Sequence, residues 1–567
     1  MTPEQSSMTY AYILVEELNR LGIEHCCMAP GARSSALSIA MQMHSGILCH
    51  IFADERSASF SALGMAKCKP KTCSVAILTT SGTAVANVLP AMIEAHESEV
   101  SILILTADRP PELRHSRANQ CIQQPNLFGH FVRKAIDFPV QQRENWHHSV
   151  SQLDYLVFRS QHPIKGPVHA NLMFREPMGI ESDLKLNQLP NTLAQWSTST
   201  QPYTSINRTD TLPKFIEDII QSTERGCLVI GSLPVEWRST VETFVTSLGW
   251  PVILDGASGL RYRNIKNTIM FHNQVARLPN SDLQLQTIIR IGHTFSNKWI
   301  DRSFIWNAQN RIAIDWTYTN PSPESNCNHV IVTENLRTIQ LNNTNGSNEL
   351  LRRVNAHNEQ AKQIIQNLSS KEMILMRELH GLIPKDGILF IGNSMPIRDF
   401  SNVSSSNRPD ITVFTNRGAS GIDGLISTAA GLAVSANKHC TIVLGDLSAI
   451  HDLASLLFLK ALPLRLRIIV VNNSGGQIFQ NLPLSKSDYF SPTFDAAHNI
   501  DLSIIVQAMN IDTHQVNHVD AIKSIEIPEQ PQIQFIELLV EKESEQKARN
   551  RDIQALSTAI TPIWSTA

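Results

Sequence analysis

The sequence predicts an α/β protein made of three doubly wound domains, each built on a parallel β-sheet. The first observation is that strand-like β-branched runs alternate with amphipathic stretches along all 567 residues, which is typical of βαβ units. The second is the length, because at roughly 150 residues per domain the chain holds three or four domains. The third is a pair of polar stretches, 183–212 and 338–348, which interrupt the alternation as linkers do. We therefore expect domains at 1–182, 213–337 and 349–567.

The composition is that of a globular protein and narrows the classes of partner. Apolar residues make up 42% of the chain and charged residues 17%, and 48 Lys and Arg against 51 Asp and Glu leave a net charge of −3. This balance argues against nucleic acid or an anionic membrane as the main partner, because both favour basic proteins. The apolar runs are shorter than the ~20 residues of a membrane span. Nine scattered cysteines without a C-x-x-C, and an N-terminus without an apolar leader, predict a cytoplasmic protein.

The first domain is expected to begin with a helix, because Leu14, Leu18 and Leu21 lie on one helical face that ends at Gly22. Apolar runs then predict short buried strands over 47–52, 75–79 and 102–106. Each strand leads into a turn of small residues and a new helical pattern, as in SGTAVANVLPAMIEA.

The second and third domains repeat this rhythm. Strands are expected near 227–230, 252–254, 288–291, 312–314 and 330–332 in the second domain, and near 388–391, 412–415, 441–444, 467–471 and 535–539 in the third. The second domain lacks a G-x-G-x-x-G motif, so we interpret it as a structural domain that holds no dinucleotide. The charged stretch 541–551 is expected to be a solvent-exposed helix face.

The most specific pattern lies in the third domain, in TIVLGDLSAIHDL and VVNNSGG. One strand ends at Asp446 and the next ends at Asn473, and ligands of open α/β sheets bind at the carboxyl ends of strands. Both side chains offer hard oxygens, and the carbonyl of Gly475 adds a third, so together with a diphosphate they suit Mg²⁺. Backbone N–H groups of Leu447 and Ser448 are in position to cap a phosphate. The simpler alternative is a helix cap at Asp446 and an ordinary turn at Asn473.

This pairing resembles the magnesium–diphosphate motif of thiamine-diphosphate-dependent enzymes, a Gly-Asp followed about one βαβ unit later by Asn. Leu447 stands where the family usually has Gly. The resemblance implies the thiamine-diphosphate-binding fold, with thiamine diphosphate and Mg²⁺ or Mn²⁺ as cofactors. It also implies a homodimer, or a dimer of such dimers, whose active sites lie at the interface between chains.

The family also uses a glutamate from the first domain and a bulky apolar residue from the third. Glu55, in FADER at a strand end, matches the glutamate that bonds N1′ of the cofactor's aminopyrimidine ring and thereby helps N4′ to take the C2 proton. Ile422, in NRGASGIDG, matches the residue over which the cofactor folds into a V. The alternatives are an acid that the helix dipole favours and a core isoleucine.

Further segments narrow the resemblance to one branch of the family, which acts in menaquinone biosynthesis. They are APGARSSALS, FADER, TTSGTAVAN, LTADRPPELR, ANQCIQQP, IGNSMPIRDF and VVNNSGGQIF, dense in the first and third domains and thin in the second. The branch decarboxylates 2-oxoglutarate and adds the resulting succinyl-semialdehyde carbanion to isochorismate. Ala32 stands where Ser is expected, so a contact there must come from the backbone.

Both substrates are dicarboxylates, so the chemistry favours a basic pocket. By resemblance, isochorismate faces Arg33, Arg109, Asn119, Gln120 and Lys298. Ser394 and Arg398 hold the distal carboxylate of 2-oxoglutarate, Arg417 lies nearby, and Ile478 and Phe479 wall the pocket. For any single arginine the alternative is a structural ion pair.

Two other functions stay open at this point. A thiamine-diphosphate lyase or decarboxylase for an apolar 2-oxo acid has no need of Arg109 and Arg398. A catalytically silent scaffold has no need of Glu55, Asp446 and Asn473 together.

Overall fold

A computed structural model of the chain describes residues 1–68, 73–97, 100–208, 212–293, 295–316, 324–333, 348–417, 420–460 and 462–565. These residues divide into two compact units. Unit 1 comprises Met1–Arg208 and Trp316–Val332, and unit 2 comprises Thr209–Asp315 and Thr333–Ala567. The second expected linker, 338–348, lies outside the described residues except for its last position. In the described ranges, no helix is long and apolar enough to cross a membrane.

The strands follow the expected βαβ order. They are β1 (His25–Met28), β2 (Leu48–Ile51), β3 (Val75–Thr79), β4 (Leu103–Asp108), β5 (Lys134–Asp137), β6 (Val168–Met173), β7 (Ser205–Arg208), β8 (Gly226–Ile230), β9 (Val252–Leu254), β10 (Thr287–Ile291), β11 (Asn310–Asp315), β12 (His329–Val332), β13 (Ile388–Ile391), β14 (Thr412–Thr415), β15 (His439–Gly445), β16 (Arg465–Asn472), β17 (Asp512–Val516) and β18 (Gln532–Leu539).

The helices alternate with these strands. They are α1 (Pro3–Arg20), α2 (Ser35–Met43), α3 (Glu55–Cys68), α4 (Thr83–Asn87), α5 (Leu89–Glu97), α6 (Trp146–Gln161), α7 (Ala194–Ser197), α8 (Lys214–Ser222), α9 (Val235–Leu248), α10 (His272–Val275), α11 (Asn280–Leu283), α12 (Asn348–Gln366), α13 (Lys371–Glu378), α14 (Met395–Val403), α15 (Leu425–Ala436), α16 (Asp446–Asp452), α17 (Leu456–Leu459), α18 (Phe490–Phe494), α19 (Leu502–Gln507), α20 (Val519–Lys523) and α21 (Lys542–Trp564). Helix α1 stops where the leucine pattern predicts, and Gly22 follows it with φ +91°.

The predicted fold class is confirmed, because the described strands belong to three parallel six-stranded sheets. In unit 1 the first sheet has the order β2-β1-β3-β4-β6-β5. Strands β3, β4 and β6 are buried at every position, as expected when helices cover both faces of a parallel sheet. Strand β2 was expected to be buried, but it is an edge strand on which Leu48 is 60% and Ile51 57% exposed.

Residues 183–208 are more ordered than the expected linker. They contain short 3-10 turns, helix α7 and strand β7, and β7 pairs in parallel with β12 inside unit 1. Buried contacts fix this segment: the Trp196 indole N–H donates to Glu17 Oε2 at 2.5 Å, and the Tyr203 N–H donates to Glu17 Oε1 at 2.6 Å. The polar composition of residues 183–208 therefore gave no sign that this segment packs against the rest of unit 1.

Unit 2 holds the strands β11-β10-β8-β9 as neighbours in that order, and the complete third sheet in the order β14-β13-β15-β16-β18-β17. Alternate residues of the third sheet enter two separate cores. Val443 and Ile469 pack on one face, and Ile442 and Ile468 on the other, because successive strand residues point to opposite faces. The strand order reverses direction between β13 and β15, and such a switch point opens a crevice at the carboxyl ends of the strands.

Helix α21 differs from its expected role as a solvent-exposed face. Its buried side includes three charged residues, Glu545, Arg549 and Asp552. They continue into Leu556 and Ile560, which join a hydrophobic core of unit 2. The charged stretch is therefore partly a buried face, and its charges are paired with other polar groups of unit 2, as described below.

Candidate active site

Asp446 and Asn473 lie together at the carboxyl ends of β15 and β16. The backbone N–H groups of Asn473 and Gly475 donate to Asp446 Oδ2 at 3.2 and 3.0 Å, and the Leu447 N–H donates to Oδ1 at 2.6 Å. Asp446 is 3% and Asn473 9% exposed. The Leu447 N–H thus donates to the Asp446 carboxylate in this structure. That the Leu447 N–H caps a phosphate stays a prediction.

A cavity of about 150 Å³ opens at these strand ends in unit 2. Its lining includes many of the residues that the sequence singled out: Ser394, Ile422, Asp446, Leu447, Ser448, Asn473, Gly475, Ile478 and Phe479. Ile422 lies in the bend just before α15, and Ser448 lies in the first turn of α16. One cavity of unit 2 is thus lined by these predicted metal, cofactor and wall residues, all of which lie between 394 and 479.

Burial of Asp446 raises the pKa of its carboxyl group. The N–H groups of Gly475 and Leu447 and the nearby His498 oppose that shift. His498 Nε2 lies 3.3 Å from Asp446 Oδ2. A buried carboxylate of this kind gains from a bound cation, which favours its charged form.

The residues fit a divalent cation that prefers oxygen ligands. In the described ranges, no group of three or more His, Cys, Asp or Glu side chains is assembled for a metal. A cation here must therefore also use amide, backbone or cofactor oxygens. Gly475 has φ +139°, and a Cβ at that position would lie 2.4 Å from the Asp495 carbonyl oxygen. The turn that presents the Gly475 carbonyl thus requires glycine.

Ser394 and Arg398 lie at the start of α14, directly after β13. Ser394 has φ 72°, a backbone conformation that is strained for a residue with a Cβ, and its carbonyl accepts from Arg398 Nη1 at 2.5 Å. Burial lowers the pKa of the Arg398 guanidinium, and the nearby Arg417 lowers it further. Arg417 is itself buried and donates to Asn393 Oδ1 at 3.0 Å and to the Phe295 carbonyl at 3.2 Å. Asp255 and Asp399 oppose the lowering of the Arg398 pKa, and Asp255 also opposes the lowering of the Arg417 pKa, so the two cations are partly compensated by carboxylates. A neighbouring cation still favours an anionic ligand.

Lys298 is exposed, and its Nζ lies 5.7 Å from the centroid of the Trp299 ring. It does not line the cavity at Asp446.

In unit 1, Glu55 is the first residue of α3 and is half-buried. Its Oε2 accepts a hydrogen bond from Asn87 Nδ2 at 3.2 Å. Asn87 ends α4, in the SGTAVAN segment, and was not among the predicted residues. Its place one βα unit after Glu55 is the signal that could have identified it.

Four of the five residues expected to face isochorismate lie at strand ends or loops of unit 1. Arg109 follows β4 and donates to the Ser81 hydroxyl, while Gln120 Nε2 donates to the Ser81 carbonyl at 2.9 Å. Arg33, after β1, donates to the Phe174 carbonyl at 2.9 Å and pairs with Glu176 at 2.7 Å. Burial lowers the pKa of Arg33, and Arg109 adds to that effect. Asn119 is exposed beside Gln120.

The sequence did not predict a buried network of charged residues that lies beside the cavity in unit 2. Asn473 Nδ2 donates to Glu372 Oε1 at 2.6 Å. Arg549 pairs with Glu372 and also bonds both oxygens of Asp399 at 2.7 Å. Glu372 and Asp399 line the cavity itself. The available signal was the spacing of Glu545, Arg549 and Asp552, which puts all three on one face of α21.

Comparison with known proteins identifies the class. Residues 8–127 match the family model "Thiamine pyrophosphate enzyme, N-terminal TPP binding domain", and residues 187–391 match "Middle domain of thiamine pyrophosphate". Together with the paired Asp446 and Asn473, these matches define a thiamine-diphosphate-dependent enzyme.

Curated relatives identify the family within that class. A 2-succinyl-5-enolpyruvyl-6-hydroxy-3-cyclohexene-1-carboxylate (SEPHCHC) synthase of Shewanella frigidimarina is 32% identical over 92% of this chain and 92% of its own length. Synthases of the same name from Shewanella putrefaciens and Shewanella baltica are 31% and 30% identical, each over 90% of this chain and 91% of their own length. The chain belongs to the SEPHCHC synthase family of thiamine-diphosphate-dependent enzymes.

Proposed function

We propose that this chain decarboxylates 2-oxoglutarate and joins the remaining four-carbon unit to isochorismate, which gives SEPHCHC and CO₂ in menaquinone biosynthesis. The observation that carries the proposal is the cavity at Asp446 and Asn473. Ser394 lines it and also bonds Arg398, which is crowded by Arg417. The cavity is not lined by Arg398 or Arg417 themselves, but Ser394 links it to the half-buried Arg398. A cation site linked in this way to a guanidinium group suits a diphosphate cofactor and a substrate with a second carboxylate.

Within the cavity, Asp446, the Asn473 amide oxygen and the Gly475 carbonyl would hold Mg²⁺ or Mn²⁺. Leu447 and Ser448 begin the helix beside them, and Ile422 would supply the apolar side chain against which the cofactor is held. The chemistry that thiamine diphosphate supplies when bound is an electron sink for the decarboxylation of a 2-oxo acid.

Glu55 holds a proton at N1′ of the aminopyrimidine ring. A carboxyl group can share that proton, so it favours the tautomer in which N4′ acts as a base. The Asn87 amide donates to Glu55 Oε2 and orients the carboxyl group.

The remaining predicted residues bind the two dicarboxylates. Ser394 and Arg398 hold the distal carboxylate of 2-oxoglutarate, with Arg417 behind them. Ile478 and Phe479 form the walls. Isochorismate faces Arg33, Arg109, Asn119, Gln120 and Lys298. Residues 1–182, 213–337 and 349–567 then act as the pyrimidine domain, the structural central domain and the diphosphate domain of a cytoplasmic enzyme.

The active enzyme is a homodimer, or a dimer of such dimers, in which the partner's Glu55 serves the Asp446 site of this chain. The exposed Leu48 and Ile51 support this assignment, because they lie on the edge strand that leads to Glu55 and a partner would cover them. Mixing Glu55→Gln chains with Asp446→Ala chains tests it. Random reassociation should restore about a quarter of wild-type activity, since half the dimers then hold one intact site of two. No recovery would mean that both residues act within one chain.

The donor half of the reaction tests the substrate class. The purified chain with thiamine diphosphate and Mg²⁺ is given 2-oxoglutarate, pyruvate or a neutral-tailed 2-oxo acid, and CO₂ release is measured. We expect strong preference for 2-oxoglutarate. Equal rates with all three acids would favour a lyase for apolar 2-oxo acids, and no cofactor binding at all would favour a silent scaffold.

A further inference from the structure

We propose that Glu372 is a positioning residue that decides which atom of the Asn473 amide faces the cavity. The inference rests on the metal site described under Proposed function and extends it to a residue outside the metal-binding motif. Glu372 lies in α13, 101 positions from Asn473 in the sequence.

The contact itself fixes the orientation of the amide. Asn473 Nδ2 donates to Glu372 Oε1 at 2.6 Å, and both residues are buried, at 9% and 5% exposure. An ionised carboxylate accepts hydrogen bonds and donates none. The NH₂ group of Asn473 must therefore point to Glu372, and Oδ1, the atom that can bind a cation, is left on the other side of the amide.

The Glu372 carboxylate is in turn held in place. Its Oε2 accepts from Arg549, whose guanidinium also bonds both Asp399 oxygens at 2.7 Å. Its backbone N–H donates to Glu545 Oε1 at 3.2 Å, which anchors the start of α13. Arg549 is 4% and Asp399 4% exposed, so the network lies within the packed part of unit 2. Each Glu372 oxygen thus has its own donor, one from Arg549 and one from Asn473.

Glu372→Gln breaks this match of donors and acceptors while keeping the shape of the side chain. Gln has one acceptor oxygen, and the charged guanidinium of Arg549 takes it, because charge-assisted hydrogen bonds are the stronger ones. The Gln NH₂ then faces Asn473. The Asn473 amide turns over to offer Oδ1 to that NH₂ group, and its own NH₂, which cannot bind a cation, points into the cavity.

The experiment measures Mn²⁺ binding by electron paramagnetic resonance in the full chain at saturating thiamine diphosphate, with thermal unfolding followed alongside. We expect Glu372→Gln to weaken Mn²⁺ binding by roughly 10- to 100-fold, the range for residues that orient metal ligands. The matched control is Glu17→Gln, which removes a buried carboxylate of unit 1 that bonds Trp196 and Tyr203 and belongs to no part of the Glu372 network. It should lower stability and keep wild-type Mn²⁺ affinity.

A second background separates orientation from damage to the fold. In Asn473→Asp the side chain carries oxygen on both sides, so turning it over changes nothing. Adding Glu372→Gln to Asn473→Asp should therefore cost no Mn²⁺ affinity. An equal loss in both backgrounds, or an equal loss in Glu17→Gln, would overturn the positioning role. Wild-type protein that binds thiamine diphosphate without any need of Mn²⁺ would overturn the metal site and this inference with it.

Discussion

Glu55 is expected to act through the proton that it shares with N1′, so its amide analogue is the informative substitution. Glu55→Gln keeps the size of the side chain and can still accept from Asn87, but it cannot share that proton. We expect turnover to fall by roughly 10²- to 10⁴-fold with fold and cofactor affinity retained. Hydrogen–deuterium exchange at C2 of the bound cofactor measures the step directly. Glu112→Gln, which alters a surface carboxylate paired with Arg175, is the control, and wild-type exchange in Glu55→Gln would refute the assignment.

Arg398 should distinguish 2-oxoglutarate from 2-oxo acids that lack a distal carboxylate. Arg398→Ala leaves that carboxylate buried and unpaired, which costs on the order of 2–5 kcal/mol. The kcat/KM for 2-oxoglutarate should therefore fall by roughly 30- to 4,000-fold, and the kcat/KM for a neutral-tailed acid should change little.

Steady-state kinetics with both acids at saturating thiamine diphosphate provide this test. Arg408→Ala is the matched control, because Arg408 belongs to the same unit and pairs with Asp410 at 2.7 Å near the surface. Equal losses with both acids in Arg398→Ala would make Arg398 a structural residue.

The sequence predicted site residues correctly where the geometry of a parallel sheet is enough to bring them together. Asp446 and Asn473 each follow a buried strand, and parallel neighbours end at one edge of a sheet. Glu372 and Arg549 could not be found in this way. They are 177 positions apart, and their meeting depends on how α13 and α21 pack in unit 2. From sequence alone, a charged residue in a helix is assigned to the solvent-exposed face, because the partner that would allow its burial is unknown.

Helix α21 buries a further charged residue, Asp552, whose partners the sequence did not reveal, and this residue gives a stability prediction. Asp552 Oδ2 accepts from the N–H groups of Ser369 and Ser370, each at 2.8 Å, just before α13 begins. Asp552→Ala leaves these donors without their acceptor, so the free energy of unfolding should fall by about 1–3 kcal/mol. Chemical denaturation measures it, with the exposed Glu543→Ala in the same helix as control, for which we expect a change within about 0.5 kcal/mol. Equal effects of the two substitutions would contradict this role of Asp552 as the acceptor for the Ser369 and Ser370 N–H groups.

Composition explains part of which strands the sequence missed, although the buried inner strands β1 and β6 were missed as well. Every apolar run that was expected to form a strand overlaps one, and most of these strands are buried on both faces. The missed strands include β5 and β17, whose sequences KAID and DTHQV mix polar and apolar residues. Both are edge strands, where one side of the backbone has no neighbour and burial demands less apolar sequence. Strand pairing across the sheet determines them, and local pattern does not.

Three buried neutral histidines in the two units predict how the stability of the folded protein depends on pH. Burial lowers the pKa of His169 to about 3, of His272 to about 3 and of His439 to about 4. In the unfolded chain they titrate near 6.5, so below that pH the unfolded state binds more protons and stability falls as the pH falls. His169→Gln should lower the slope of unfolding free energy against pH, between about pH 6 and 4, by up to about 1.4 kcal/mol per pH unit. An unchanged slope would mean that His169 takes up its proton in the folded state.

The mass of the product tests the proposed reaction most directly, because it reports on both substrates at once. Purified protein is incubated with thiamine diphosphate, Mg²⁺, 2-oxoglutarate and isochorismate, and the products are measured by mass spectrometry together with CO₂. The expected result is one product whose mass is that of both substrates less CO₂, formed in step with CO₂ release and lost in Asp446→Ala. CO₂ release that leaves isochorismate unchanged, or the same product yield with pyruvate in place of 2-oxoglutarate, would contradict the proposed function.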